Sequence, residues 1–190
     1  DLSRRHRVFT SDNGVVTVTG GKLTTYREMA EDAVDAVSEV LGTKTRCHTR
    51  SLSLHGAKGR SIRASQRDHH LDGRYGSDSA DIAALIASDP SLSGPLVDGL
   101  PYLRAEAVYA VTHEMATSID DVLSRRTRAR LLNRRASVSA ARATADLISP
   151  LLGWNEAQCS ASIAEYIDGC AREDAAAMVT EQEFIDSHKG

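Results

Sequence analysis

The residues best suited to chemistry lie in one short stretch, residues 20–25, whose sequence is GGKLTT. An apolar, β-branched run (GVVTVT, residues 14–19) precedes it, and a helical pattern follows it. Two glycines let a ligand approach the backbone closely, and the free N–H groups at the start of a helix favour negative charge. Lys22 adds a positive charge at the same place. The stretch therefore suits an anionic ligand, although an ordinary strand–turn–helix connection would use the same residues.

Two common phosphate-binding motifs are excluded. A P-loop requires a glycine five positions before the second glycine and a serine or threonine after the lysine. Those two places hold Val16 and Leu23. The dinucleotide fingerprint G-x-G-x-x-G occurs nowhere in the chain. Any ligand of residues 20–25 must therefore be bound in another way.

The histidines do not show the spacing of a metal site. The dipeptide His113-Glu114 begins the pattern of a zinc protease, but Thr117 stands where the second histidine is required. The adjacent pair His69 and His70 would point about 100° apart on a helix, so we expect both on the surface. We predict no metal site.

The densest positive charge lies between Arg125 and Arg135. Such a cluster could contact nucleic acid in a stand-alone interaction module. However, its arginines spread around a helix, and no aromatic residues are interleaved with them for base stacking. The interpretation we favour is a solvated helix end whose arginines pair with carboxylates.

Composition narrows the classes of protein that fit. Apolar residues make up 41% of the 190 residues and aromatic residues only 4%, which favours an alanine- and leucine-rich helical protein. The net charge is −3, and residues 136–190 are acidic, which disfavours nucleic acid as a partner. Three scattered cysteines predict no disulfide framework and a cytoplasmic protein, with Cys159 and Cys170 as buried thiols. No apolar run of 18 residues occurs.

The N-terminal part predicts a hairpin followed by a helix. The strand at residues 14–19 has a candidate partner at residues 7–9, with a turn at residues 11–14 between them. Apolar residues then recur every three or four positions, predicting a helix over residues 25–41. Thr25 and Glu28 have the spacing of a capping box, and Gly42 stands where a helix-ending glycine belongs.

The remainder predicts a helical bundle. Periodicity and helix-ending residues indicate helices at residues 61–75, 78–88, 103–116, 118–126, 138–152 and 159–170. The fold class is therefore mainly α: a multi-helix C-terminal domain after a short strand and helix. We divide the chain into residues 1–42, a linker at 43–60, a helical domain at 61–178 and a tail at 179–190.

The segment GGKLTTYR at residues 20–27 resembles the last flavin-binding element of the FAD-dependent glycerol-3-phosphate dehydrogenases, which are similar to the amino-acid-oxidase-like flavoproteins. The resemblance continues on both sides of this segment and covers most of the chain. Its further carriers are Leu2–His6 upstream and, downstream, Arg74–Gly76, Ala105–Val111, His113–Ala116 and Asp120–Arg128. Together, GGKLTTYR and DDVLSRRTR at this separation are specific.

The resemblance implies an enzyme that oxidises glycerol 3-phosphate to dihydroxyacetone phosphate. A hydride passes to FAD, and the electrons continue to a membrane quinone, which implies a cytoplasmic protein attached peripherally to the membrane. By family position, Gly20, Gly21, Lys22, Leu23, Thr24 and Thr25 would wrap the pyrimidine side of the flavin. Arg4 and Lys22 would bind the substrate phosphate or carbinol region, with Arg5 as the alternative to Arg4.

The family's N-terminal G-x-G-x-x-G, which binds the ADP half of FAD, is absent from this chain. We therefore expect a C-terminal piece of such an enzyme, with no complete catalytic set and no FAD retained by the piece alone. Its role would be a helical cover or assembly module. The expected partners are the N-terminal FAD domain and, through the whole enzyme, glycerol 3-phosphate and quinone. A homo-oligomer stays open, and nucleic acid is not expected.

Overall fold

The computed structural model describes residues 5–43, 45–57 and 66–178, and at residues 66–69 it describes the backbone alone. The chain forms two units that divide between Leu54 and His55, and each is described by itself. The predicted helical residues 61–65 and the predicted tail at 179–190 lie outside the described residues. No helix in the described ranges has the length and apolar character needed to span a membrane.

The first unit begins with the predicted hairpin. Strands β1 (Arg7–Thr10) and β2 (Val16–Thr19) pair antiparallel, with Arg7 opposite Thr19 and Thr10 opposite Val16. The turn closes through the amide of Gly14, which donates to the carbonyl of Ser11 at 2.8 Å. Gly14 has φ +82°, a conformation that favours glycine. The strand pairing predicted from the sequence is confirmed.

Helix α1 (Tyr26–Val40) follows a single 3₁₀ turn at Leu23–Thr25. The predicted capping box is wrong because the chain enters the helix through this extra turn. The Thr25 hydroxyl turns back to Lys22, accepting from its amide at 3.4 Å and donating to its carbonyl at 3.0 Å. At the other end, Gly42 has φ +67° and ends the helix as predicted.

The second unit is helical. Its helices are α2 (Gln66–Tyr75), α3 (Ser79–Ser88), α4 (Arg104–Thr112), α5 (Ala129–Leu132), α6 (Arg134–Leu152) and α7 (Glu156–Ala177). A π-helix spans Asp121–Arg126, where the sequence predicts an α-helix. The hydroxyl of Thr127 donates to the carbonyl of Val122 at 2.8 Å, and its amide donates to the same carbonyl at 2.9 Å. The mainly α fold class is confirmed.

Helix α4 is shorter than the predicted 103–116. Met115 adopts φ +58°, and the amide of Ala116 returns to the carbonyl of Ala110 at 2.9 Å. This pattern closes a helix with a left-handed residue, a place that glycine usually takes. The next segment begins as predicted, because the Ser118 hydroxyl accepts from the amide of Asp121 at 3.0 Å.

Helices α4, α6 and α7 pack together over the main core of the second unit. Small residues on α6, Ala141 and Ala145, are fully buried and let the neighbouring helices approach closely. Larger side chains fill the remaining space. They are Val97, Tyr102, Ile119, Val122, Leu123, Ile148, Cys159, Tyr166 and Cys170. The prediction that Cys159 and Cys170 are buried thiols is therefore confirmed.

A buried carboxylate joins α2 to α4. Glu106 has no exposed surface, and it accepts from the Tyr75 hydroxyl at 2.8 Å and from the amide of Leu103 at 2.8 Å. His70 Nε2 lies 3.0 Å from the same carboxylate, and Arg74 Nε lies 3.8 Å from it. Partners on three sides make this burial tolerable. The prediction that His70 lies on the surface is wrong, because its ring is the partner of this carboxylate.

Aromatic rings surround the Glu106 cluster. The guanidinium of Arg74 lies 5.5 Å from the ring centre of Tyr75 and 5.6 Å from that of Tyr102. Burial raises the pKa of the Tyr75 hydroxyl well above its ordinary value, and the neighbouring Glu106 charge raises it further. The Tyr75 hydroxyl therefore keeps its proton at all ordinary pH values and donates a hydrogen bond to the carboxylate.

A second carboxyl near this cluster is poorly satisfied. Glu114 Oε2 is buried and has no hydrogen-bond partner among the described residues. The guanidinium of Arg126 binds the backbone carbonyl of Glu114 instead, at 2.7 and 3.1 Å. Burial raises the pKa of the Glu114 carboxyl, although Arg74 and Arg126 act to lower it.

Replacing Glu106 should strongly destabilise the second unit. Glu106→Ala leaves the Tyr75 hydroxyl and the Leu103 amide without an acceptor, so we expect the free energy of unfolding to fall by about 3 kcal/mol. Urea unfolding followed by far-ultraviolet circular dichroism measures the loss. Glu165→Ala, an exposed change on α7, is the matched control and should cost at most about 0.5 kcal/mol. Equal losses in both variants would contradict the role given to Glu106.

Glu114 predicts a pH-dependent stability. Because its pKa is raised on folding, its contribution is present below the usual pKa of a glutamate and is lost as pH rises through the folded value. Glu114→Gln should therefore raise the melting temperature at pH 7 and lose that advantage near pH 4. Glu165→Gln is the control, with no difference expected between the two pH values. A gain of equal size at both would count against the buried carboxyl as its cause.

Candidate functional site

The double glycine at the end of β2 lies where the chain crosses itself. Gly20 and Gly21 have φ of +73° and +90°. A Cβ on Gly20 would lie 2.9 Å from the carbonyl oxygen of Arg5. A Cβ on Gly21 would lie 2.5 Å from the sulfur of Met29 and 3.1 Å from Cβ of His6. On this side of the turn, the groups that lie close to the glycine backbone belong to Arg5, His6 and Met29 of the same chain and not to a ligand.

A cleft of about 470 Å³ opens beside this crossing. Its lining residues are Arg5, His6, Lys22, Thr25, Glu28 and Asp32. The crossing segment supplies the first two, the glycine turn supplies Lys22, the 3₁₀ turn supplies Thr25, and one face of α1 supplies Glu28 and Asp32. Lys22 is exposed and forms no ion pair with any residue in the described ranges. Its ammonium group is therefore available to an anion.

A histidine–aspartate pair spans the cleft. His6 Nε2 lies 2.6 Å from Asp32 Oδ2. The His6 side chain is mostly covered, with 18% of its surface exposed, whereas that of Asp32 is 55% exposed. The pair ties the segment before β1 to the middle of α1.

The predicted site residues share one turn. Residues 20–25 run from the end of β2 through the 3₁₀ turn, and the Leu23 side chain is 88% exposed. Arg4 lies outside the described residues, while its alternative, Arg5, lines the same cleft as Lys22. The flavin-binding and substrate-binding roles given to these residues stay predictions.

Sequence reasoning missed His6, Glu28 and Asp32 as cleft residues. A signal was present in the spacing, because positions 25, 28 and 32 fall on one face of a helix. Thr25 marks the start of that face, and it lies next to the glycine turn. The partnership of His6 with Asp32 depends on the hairpin, which returns the chain to the start of α1.

An apolar groove of about 490 Å³ lies on another face of α1, against residues 45–54. Its apolar lining residues are Tyr26, Ala30, Val34, Leu52 and Leu54. At its edge, the Arg27 guanidinium binds Glu31 at 2.5 Å, and this hydrogen bond lowers the pKa of the Glu31 carboxyl. The groove combines large exposed side chains with little polar surface.

The basic cluster of the second unit is engaged in ion pairs. Arg130 lies 2.8 Å from Asp120 and 2.6 Å from Glu173, and Arg134 also contacts Glu173 at 3.2 Å. Burial acts to raise the pKa of Asp120, but the Ser124 hydroxyl and the arginines outweigh it and hold that pKa low. Arg125 pairs with Asp120 at 2.5 Å. The interpretation that the arginines of the cluster pair with carboxylates is confirmed for Arg125, Arg130 and Arg134, whereas Arg126 binds a backbone carbonyl.

Histidine, cysteine and carboxylate side chains form no group suited to a metal ion anywhere in the ranges 5–43, 45–57 and 66–178. The cleft beside Lys22 brings the cationic side chains of Arg5 and Lys22 together with the hydroxyl of Thr25. It can hold an anion and donate hydrogen bonds to it.

The comparisons with known proteins agree with the resemblance seen in the sequence. A family model described as the C-terminal domain of alpha-glycerophosphate oxidase matches residues 47–159. Glycerol-3-phosphate dehydrogenase 2 of Mycobacterium tuberculosis is 37% identical over 180 residues, covering 87% of this chain and 31% of that protein. A mitochondrial glycerol-3-phosphate dehydrogenase of Arabidopsis thaliana is 34% identical, covering 83% of this chain and 29% of that protein.

A solved structure is similar as well. The glycerol-3-phosphate dehydrogenase of Bacillus halodurans, complexed with FAD, matches with a TM-score of 0.64 and 26% identity. The match covers 88% of this chain and 36% of that one. The chain thus spans about a third of the length of the relatives it matches. Because the family model matches more than half of the chain, residues 47–159, the chain belongs to the family described as the C-terminal domain of alpha-glycerophosphate oxidase.

Proposed function

We propose that the chain acts as the C-terminal part of an FAD-dependent glycerol-3-phosphate dehydrogenase and is non-catalytic alone. That enzyme would convert glycerol 3-phosphate to dihydroxyacetone phosphate, with electrons passing to a quinone. The observation that carries the proposal is the cleft beside the double glycine, where Lys22, just after β2, forms no ion pair with a described residue. The similarity to glycerol-3-phosphate dehydrogenases supports it.

The residues of the turn fit a flavin and an anionic substrate. When bound, FAD would accept the hydride from carbon 2 of the substrate. The backbone N–H groups of Leu23 and Thr24 begin the helical turn and have no carbonyl partner within it, so they can donate to electron-rich ring atoms. Lys22 would bind the substrate phosphate as a point charge, and Arg4 or Arg5 would bind it through two N–H groups.

The first unit exposes an unusual amount of apolar surface. In the described part of this unit no residue is fully buried, and Val34, Leu41, Leu52 and Leu54 are each more than 60% exposed. Exposed apolar patches of this kind mark contact surfaces. We propose that the N-terminal FAD domain of the same enzyme covers this surface. A cytoplasmic location with peripheral membrane attachment belongs to the same proposal.

Co-expression tests the assignment. The N-terminal two-thirds of the Mycobacterium tuberculosis glycerol-3-phosphate dehydrogenase 2 would be co-expressed with this chain and purified through it. We expect the pair to keep a flavin spectrum after desalting and to reduce a dye when glycerol 3-phosphate is added. The chain alone should lose flavin on desalting. Flavin kept by the chain alone, or a pair that never acquires flavin, would contradict the proposal.

Variants of the pair test the residue roles. Lys22→Ala and Arg4→Ala should each raise the KM for glycerol 3-phosphate at least about tenfold, because a charged hydrogen bond to phosphate is lost. Flavin content should change little in either variant. Arg172→Ala, which removes an exposed arginine of the second unit, is the matched control. If flavin and substrate affinity fall together, the residue supports the structure rather than the substrate.

A further inference from the structure

The segment that contains Arg5 and His6 packs directly against the backbone of Gly20 and Gly21. The carbonyl of Arg5 and the Cβ of His6 occupy the space in which side chains on Gly20 and Gly21 would lie. This close contact prevents the crossing segment from moving toward the turn. It leaves the segment free to move only away from the turn, which would widen the cleft.

The pair of His6 and Asp32 opposes that outward movement. The carboxylate of Asp32 can only accept, so His6 Nε2 must carry a proton across the 2.6 Å contact. The hydrogen bond therefore joins the segment before β1 to α1. Because His6 directly follows Arg5 in the chain, the bond also fixes the position of the Arg5 backbone.

The charges facing the His6 ring come from every element around the cleft. Arg5 lies on the crossing segment, Lys22 on the glycine turn, and Glu28 and Asp32 on α1. The cleft thus holds two cations, both outside α1, and two carboxylates, both on α1. An anion entering the cleft should bind near the cations and away from the carboxylates of α1.

We propose that His6, held by Asp32, is a positioning residue for an anion subsite formed by Lys22 and the Arg5 segment. This inference rests on the proposed function and deepens it, since the anion would be the phosphate of a phosphate monoester. His6 does not touch the reacting carbon. It acts by keeping the cationic side chains of the crossing segment and of the turn at one separation, which lets both engage the same phosphate.

Anion titration of the 190-residue chain tests this without flavin. Inorganic phosphate and sn-glycerol 3-phosphate are added separately, and the amide chemical shifts of residues 20–25 are followed by NMR. We expect saturable binding of both, weakened about tenfold by His6→Ala because one charge-assisted hydrogen bond no longer orders the site. Lys22→Ala should weaken binding at least as much. His55→Ala, a fully exposed histidine of the other unit, is the matched control and should bind as the wild type.

A conservative variant separates positioning from folding. The side-chain amide of His6→Gln can donate to Asp32 from nearly the same place as Nε2, so binding should return to within about threefold of the wild type. If His6→Ala loses the hairpin signals, His6→Gln and Asp32→Ala carry the test. Asp32→Ala, which leaves His6 without its acceptor, should weaken binding in the same direction as His6→Ala.

The outcomes are decisive in both directions. Wild-type affinity in His6→Ala, weak binding in His6→Gln with the hairpin intact, or no saturable binding by the wild-type chain would each overturn the inference. In the co-expressed pair, His6→Ala should raise the KM for glycerol 3-phosphate and leave kcat and flavin content nearly unchanged. A pair without flavin would defeat the proposed function, while His6-dependent phosphate binding by the chain would still stand.

Discussion

Burial of the Glu106 carboxylate is the constraint on which the second unit depends. A carboxylate without exposed surface requires hydrogen-bond partners, and the chain supplies them from His70 and the Tyr75 hydroxyl on α2 and from the Leu103 amide at the start of α4. Each donor fixes an element: His70 and Tyr75 place α2, while the Leu103 amide begins α4. The side chains of Ile82, Leu92 and Tyr109 lie in the same buried cluster as Tyr75 and Leu103, so the polar groups fix the arrangement in which these apolar side chains pack.

The described part of the first unit is not organised around a buried polar group. None of its described residues is fully buried, and its order comes from a hairpin, a chain crossing over two glycines and the bond between His6 and Asp32. An isolated two-stranded hairpin is marginally stable at best in water, so this unit depends on the packing of its hairpin against α1. Its exposed valines and leucines are the groups that a further layer of protein would cover, which is the reason the proposal assigns them to the N-terminal FAD domain.

Local patterns predicted most of the fold, and partner-dependent features escaped them. Periodicity, Gly14 and Gly42 predicted the hairpin, the helices and the mainly α class, because each signal acts within a few residues. The positions of His70 and Glu106 could not be predicted, since a histidine or glutamate on a helix is normally solvated. In the π-helix at Asp121–Arg126, the amide and the hydroxyl of Thr127 both donate to the Val122 carbonyl five residues back, a pairing that periodicity does not predict. The pair of His6 and Asp32 required the hairpin to be closed first.

Several arginines of the second unit have carboxylate partners, whereas Lys22 of the first unit has none among the described residues. This difference bears on where an anion can bind. Arg125, Arg130 and Arg134 face carboxylates of the π-helix or of α7, so an incoming anion would have to displace a partner already in place. In the cleft, the carboxylate of Asp32 is occupied by His6, and the ammonium group of Lys22 meets no carboxylate among the described residues. A cation without an internal partner has none to give up when an anion binds, whereas a paired one must first be released. An anion would therefore be drawn to the glycine turn and not to the more basic stretch of the helical unit.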